Sequence, residues 1–164
     1  MNLVIRLASP GDAAKIASFN VALARETEGR TLNRRLVGMG VRTLLAESKH
    51  GFYVVADNGK KIVGMAMITF EWSDWLNRQW WWLQSVYVDP GFRQKGVFTK
   101  VYSYIQERAE SEGNVCGIRL YAEKENRQAL RTYRSLGLTP NSYRFLESAL
   151  PEKEKKTRGK QRAA

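Results

Sequence analysis

The stretch Ser85-Val-Tyr-Val-Asp-Pro-Gly-Phe-Arg-Gln-Lys-Gly-Val-Phe-Thr-Lys-Val-Tyr-Ser-Tyr104 decides how this chain is read. An apolar strand runs into a short basic turn containing glycine, and the turn opens an amphipathic helix. That order of parts builds an anion site. The strand fixes the loop, and the free N–H groups of the loop and helix N-terminus converge on one spot. Arg93 and Lys95 add positive charge there. The expected ligand is a small molecule or cofactor carrying a phosphate or pyrophosphate.

Outward from this stretch, the chain of 164 residues has the size of one domain with a real core. Its 43% hydrophobic and 26% charged residues match a globular protein. No apolar run approaches the ~20 residues that span a bilayer, so no membrane partner is expected. The start, Met1-Asn2-Leu3-Val4-Ile5-Arg6, lacks the features of a signal peptide, and the expected location is cytoplasmic. With Cys116 as its single cysteine the chain forms no internal disulfide, and the thiol reads as a small packed residue.

The net charge of +11 raises nucleic acid as a partner, so its location matters. Residues 151–164 hold six Lys/Arg against two Glu, with nothing apolar beyond the terminal alanines. This basic tail is expected to be disordered, apart from a domain over residues 1–150. The charge left on the body is dispersed, which argues against a nucleic-acid interface.

Leu3–Leu7 reads as a strand, and Ser9-Pro10-Gly11-Asp12 caps a helix running to about Glu28. A second helix covers about Leu32–Ser48. Phe52–Ala56 and Lys61–Glu71 flank Asp57-Asn58-Gly59-Lys60, a hairpin turn. A second hairpin has Trp72–Gln79 as its loop and Trp80–Val88 as a nearly continuous apolar return strand, expected to be central. A helix over about Lys95–Glu112, a strand Gly117–Ala122 and a helix Asn126–Leu136 follow. A last strand or hairpin is expected over Leu138–Glu147. The order β-α-α-β-β-β-α-β-α-β reads as one α/β (α+β) domain, with a mixed sheet of six to seven strands and four helices.

Two stretches carry a resemblance to the GNAT superfamily of N-acetyltransferases. Arg93-Gln94-Lys95-Gly96-Val97-Phe98 resembles the family's Gln/Arg-x-x-Gly-x-Gly/Ala loop, departing at Phe98, where a small residue is usual. Asn126-Arg-Gln-Ala-Leu-Arg-Thr-Tyr133-Arg-Ser-Leu-Gly137-Leu138 is similar to Asn-x-x-Ala-x-x-x-Tyr-x-x-x-Gly-Phe. The resemblance implies acetyl-CoA as co-substrate, no metal, and acetyl transfer to a primary amine by direct attack in a ternary complex. The backbone of Arg93, Gln94, Lys95, Gly96, Val97 and Phe98 would hold the pyrophosphate, with Phe98 turned toward Tyr102 and Ile105. Val86 and Val88, on a bulged central strand, would pair with the pantetheine arm, and Asn126 would contact it. Tyr133 would return a proton to the CoA thiolate as general acid; a core tyrosine and a helix-capping asparagine are the plainer readings of that pair.

The family's central-strand carboxylate has no equivalent here, because Trp82-Leu83-Gln84 contains no acid. Glu71 is the candidate base, with Asp74, Glu26 and Glu28 as further carboxylates for that role, beside a route in which water removes the proton. Glu26, Glu28, Trp72, Asp74 and Trp75 are candidates to contact the acceptor, a small-molecule or peptide amine. The sheet edge and the tryptophan hairpin are candidate homodimer contacts. A non-catalytic acyl-CoA-binding or sensor module is the alternative function.

Overall fold

The computed structural model describes residues 2–150. β1 (Val4–Leu7) leads through a short turn at Pro10–Asp12 into α1 (Ala13–Glu28) and α2 (Arg34–Ala46). β2 (Gly51–Asp57), β3 (Ile62–Ser73) and β4 (Arg78–Val88) form two successive hairpins. α3 (Val97–Glu112) crosses to β5 (Val115–Leu120), and α4 (Arg127–Ser135) is the last regular element described. The five strands lie side by side in sequence order, antiparallel from β1 to β4, with β5 parallel to β4. None of the described helices is long and apolar enough to cross a membrane.

Local chemistry sets the turns. In the first hairpin the Asn58 side chain accepts the N–H groups of Lys60 and Lys61, both at 3.0 Å. Asn33 caps α2 by accepting the Leu36 N–H at 3.1 Å. The turn of the second hairpin is tighter than the sequence suggested. Trp72, Ser73, Arg78 and Gln79, expected in the loop, pair instead as the last rungs of β3 and β4, Trp72 opposite Gln79 and Ser73 opposite Arg78.

The apolar strands bury both faces, as their continuous hydrophobicity requires. On one face Val54, Ala56, Ala66, Ile68, Trp81 and Leu83 meet Val97, Val101 and Ile105 of α3. On the other, Tyr53, Val55, Met65 and Tyr87 meet Ile16 and Phe19 of α1 and Val41 of α2. α3 comes close to the sheet at Gly64, where a Cβ would stand 2.9 Å from Val97 Cγ1 and 3.5 Å from the Tyr87 carbonyl oxygen. That contact seats the first turn of α3, and with it the loop at 93–96.

Two expectations need correction. Among the described residues the sheet has five strands, not six to seven, and the segment Leu138–Glu147 forms no strand. Pro140 has no N–H to give a ladder. The Asn141 side chain takes the Tyr143 N–H at 3.0 Å, satisfying locally a donor that a strand would need. The segment instead lays Phe145 against Tyr121, with ring centroids 4.7 Å apart. The expected disordered tail, 151–164, lies outside the described residues.

Arg6 ties three elements together. Its guanidinium grips Asp12 at 2.7 and 3.1 Å and Asp57 at 3.1 Å, and Asp12 also accepts the Ser9 N–H at 2.7 Å. The Arg6 hydrogen bonds outweigh burial and bring the Asp12 carboxyl down to about 2. A depressed carboxyl stabilises the fold above its unfolded pKa of about 4 and loses that contribution as pH falls toward 2. Asp12→Asn is expected to cost about 1–2 kcal/mol at pH 7 and to flatten acid unfolding between about pH 4 and 2, read by circular dichroism. Gly64→Ala is expected to cost about 1–3 kcal/mol in denaturant titration, because Val97 is buried and β-branched and has little room to yield.

Candidate active site

β4 keeps β3 as a neighbour along its length but leaves β5 halfway. Pairing with β5 ends at Leu83 opposite Leu120. Just beyond, the register with β3 jumps from Met67–Gln84 to Met65–Tyr87, so Ser85 and Val86 together oppose Ala66. This is a β-bulge, and Ser85 takes the left-handed conformation at φ 47°. The bulge bends β4 away, and a cleft of about 970 Å³ opens between its end, α3 and α4.

The cleft collects Val86, Val88, Arg93, Gln94, Gly96, Val97, Phe98, Asn126 and Tyr133. Beyond Leu83 the β5-facing edge of β4 has no partner strand among the described residues. At its end, Asp89 accepts the Gly91 N–H at 3.2 Å and pairs with Lys61 at 3.1 Å, anchoring the loop to the first hairpin. Gln94 at φ 58° and Gly96 at φ 73° then turn the chain into α3. The first N–H engaged by the helix is that of Lys100, bonded to the Gly96 carbonyl at 3.1 Å. The N–H groups of residues 94–98 have no partner among the described residues. Unpaired donors at a helix N-terminus, on a loop with two left-handed residues, form a cradle for an anion.

The basic side chains of that loop are directed elsewhere. Arg93 donates to Glu26 at 2.6 Å and to the Val88 carbonyl at 2.9 Å, with its guanidinium over the Tyr87 ring. Lys95 donates to the Gly91 carbonyl at 2.8 Å. Glu26 also accepts the Tyr87 hydroxyl at 2.7 Å. Burial alone would raise the Glu26 carboxyl, but Tyr87 and Arg93 outweigh it and hold it below the usual carboxylate range. Tyr87 is pushed up to about 12 by burial and by Glu26. The clasp therefore keeps its charges across the neutral range and binds the end of α1 to the anion loop.

Asn126 caps α4 by accepting the Ala129 N–H at 3.1 Å, and Tyr133 stands two turns further along the helix. Burial raises the Tyr133 phenol, so it stays protonated at neutral pH. Phe98 does pack on Tyr102, with centroids 6.0 Å apart, but it also meets the Tyr133 ring edge-on at 5.7 Å. The aromatic residue in the motif's small position thus forms a wall that supports Tyr133. Val97 takes the fully buried place beside it.

Of the acidic and aromatic candidates, Glu26 and Glu28 line the cleft. Glu71 lies outside it on the sheet surface, accepting hydrogen bonds from Trp82 and, at 2.8 Å, from Arg119. Trp72, Asp74 and Trp75 sit at the far end of the second hairpin and do not line the cleft. Sequence reasoning missed Ser85, Gln84, Thr99, Gln128 and Thr132, which do line it. The bulge itself was expected at Val86 and Val88 from the resemblance, but its left-handed residue, Ser85, was not, and the others stand as ordinary polar residues in the sequence.

Residues 18–138 match the model of the acetyltransferase (GNAT) family. Among solved structures, a possible acetyltransferase from Clostridium difficile 630 is 40% identical, covering 93% of this chain and 100% of its own, with a TM-score of 0.86. A predicted acetyltransferase with acetyl-CoA from Clostridium acetobutylicum is 21% identical over 90% of this chain and 96% of its own, with a TM-score of 0.73. A transcriptional regulator from Bacillus halodurans C-125 shares the fold at 24% identity and a TM-score of 0.76, over 91% of this chain and 100% of its own. No curated protein matches the chain. A match over most of the chain, on a fold that opens β4 from β5 above an N–H cradle, has one reading: the protein belongs to the GNAT acetyltransferase family.

Proposed function

We propose that the protein transfers the acetyl group of acetyl-CoA to a primary amine by direct attack in a ternary complex. The observation that carries this reading is the set of unpartnered N–H groups at 94–98, set at one end of the exposed edge of β4. A pyrophosphate needs several donors at once, and a pantetheine amide needs an unpaired strand edge. Val86 and Val88 supply that edge, and Asn126 and Tyr133 line the same cleft.

The amine nitrogen forms a bond to the acetyl carbon, the C–S bond breaks, and the sulfur takes the phenolic proton of Tyr133. Tyr133 is then reprotonated from solvent. The Val86 N–H at the bulge polarises the carbonyl. Holding both reactants in one cleft supplies much of the rate. The amine proton leaves through water, since both oxygens of Glu71 are engaged by Trp82 and Arg119 and that carboxylate lies outside the cleft.

Release of CoA thiol with a panel of primary amines tests the reaction, and calorimetry with acetyl-CoA tests binding. Binding without turnover of any amine favours the acyl-CoA sensor instead. Tyr133→Phe is expected to lower kcat by about 10²-fold or more, leaving the acetyl-CoA dissociation constant unchanged. An unchanged kcat removes the acid role. Glu71→Gln is expected to leave the alkaline rise of kcat/KM in place; loss of that limb would make Glu71 the base.

A further inference from the structure

Tyr133 is fixed along its backbone but not at its hydroxyl. Its carbonyl accepts the N–H groups of Leu136 at 3.1 Å and Leu138 at 3.0 Å, and Gly137 turns the chain there at φ 87°. Its phenol has no hydrogen-bond partner among the described residues. The buried tyrosines of the sheet differ: Tyr53 accepts from Asn20 at 3.3 Å, and Tyr87 donates to Glu26 at 2.7 Å. Nor does α4 provide a socket of its own, because none of its residues is fully buried.

The orientation of that side chain is therefore left to packing. Among the described residues Phe98 is the one aromatic ring against it, with centroids 5.7 Å apart and planes at 77°. An edge-to-face pair has a preferred geometry, so it restricts the tilt of the tyrosine ring as well as its place. Phe98 is itself held. Its neighbour Val97 is buried against Gly64 of β3, and Tyr102, one turn further along α3, is buried and packs on the Phe98 ring. Rigid contacts thus run from the sheet through Val97 and Phe98 to Tyr133, and both rings line the cleft.

We infer that Phe98 is a positioning residue for the transfer reaction: its ring reaches from α3 to α4 and holds the Tyr133 phenol where it delivers its proton. The part of Phe98 in the anion cradle is its backbone N–H, which every residue except proline supplies. The two roles are separable, the side chain serving proton delivery and the backbone serving acetyl-CoA. The inference rests on the acetyl-transfer reading for the proton step but not for the hold on Tyr133. A ring that merely obstructed the cleft would act in the opposite sense, because its removal would tighten acetyl-CoA binding.

The experiment compares the wild type with Phe98→Ala, Phe98→Leu, Tyr133→Phe and the double variant Phe98→Ala, Tyr133→Phe. Phe98→Ala is expected to lower kcat by about tenfold or more and to leave the acetyl-CoA dissociation constant within about twofold. Phe98→Leu, which refills the space, is expected to regain most of that rate. In the Tyr133→Phe protein the Phe98→Ala change is expected to cost less than about twofold, because no phenolic proton remains to be positioned. Additive losses overturn the inference, as does faster turnover or tighter acetyl-CoA binding in Phe98→Ala. NMR of isotope-labelled tyrosine, with Tyr133 assigned by its absence from Tyr133→Phe, reads the hold without turnover. Phe98→Ala is expected to release the Tyr133 phenol from its raised value toward the ordinary one of about 10, and an unchanged titration overturns the inference. If no amine is acetylated, the transfer reading fails, and the titration alone decides whether Phe98 holds Tyr133.

Discussion

The candidate site depends on β4 being able to leave β5 while remaining a strand. A strand deprived of one neighbour exposes a row of N–H and C=O groups, a costly state unless something else takes them up. The bulge at Ser85 and Val86 makes the departure abrupt, and β3 continues to support the other edge through Val88. α3 and α4 both border the gap, and Phe98 of one packs on Tyr133 of the other. The cradle, the exposed strand edge and Tyr133 face one space for that reason.

Holding that gap requires fixed points at both ends. Gly64 lets Val97 seat against the sheet, so the first turn of α3 is held by packing rather than by its loop. The clasp of Glu26, Tyr87 and Arg93 joins the end of α1 to the backbone of the anion loop at Val88. Its consequence is that the two arginine and lysine side chains most readily assigned to a phosphate instead organise the loop. The unpaired donors of that loop are neutral N–H groups at a helix terminus, whose orientation is set by the fold and costs no side-chain entropy.

Much of this was legible in the residues. The Asp-Asn-Gly turn, the continuous apolar strands and the periodic helices gave the element order as far as α4. Of the loop at 93–98, Arg93, Gln94, Gly96, Val97 and Phe98 border one cleft with Asn126 and Tyr133. The tryptophans at 80–82 divided as strand alternation demands: Trp81 is buried, and Trp80 and Trp82 lie on the opposite face, with Arg119 stacked 3.9 Å from the Trp80 ring. The last strand failed because Pro140 and Asn141 reward a local turn, a competition that hydrophobic pattern alone does not reveal.

The sequence by itself determined which segments are helix and strand, and where a glycine loop meets a helix start, because those are properties of near neighbours. Only the tertiary structure decided where charge is free and where it is spent. Glu26 and Arg93 are 67 positions apart, and no local pattern links them. Tertiary packing likewise decided that Phe98 supports Tyr133 and that Glu71 lies outside the cleft. Each of these depends on which surfaces the folded sheet brings face to face, and that is fixed by long-range packing rather than by the order of residues.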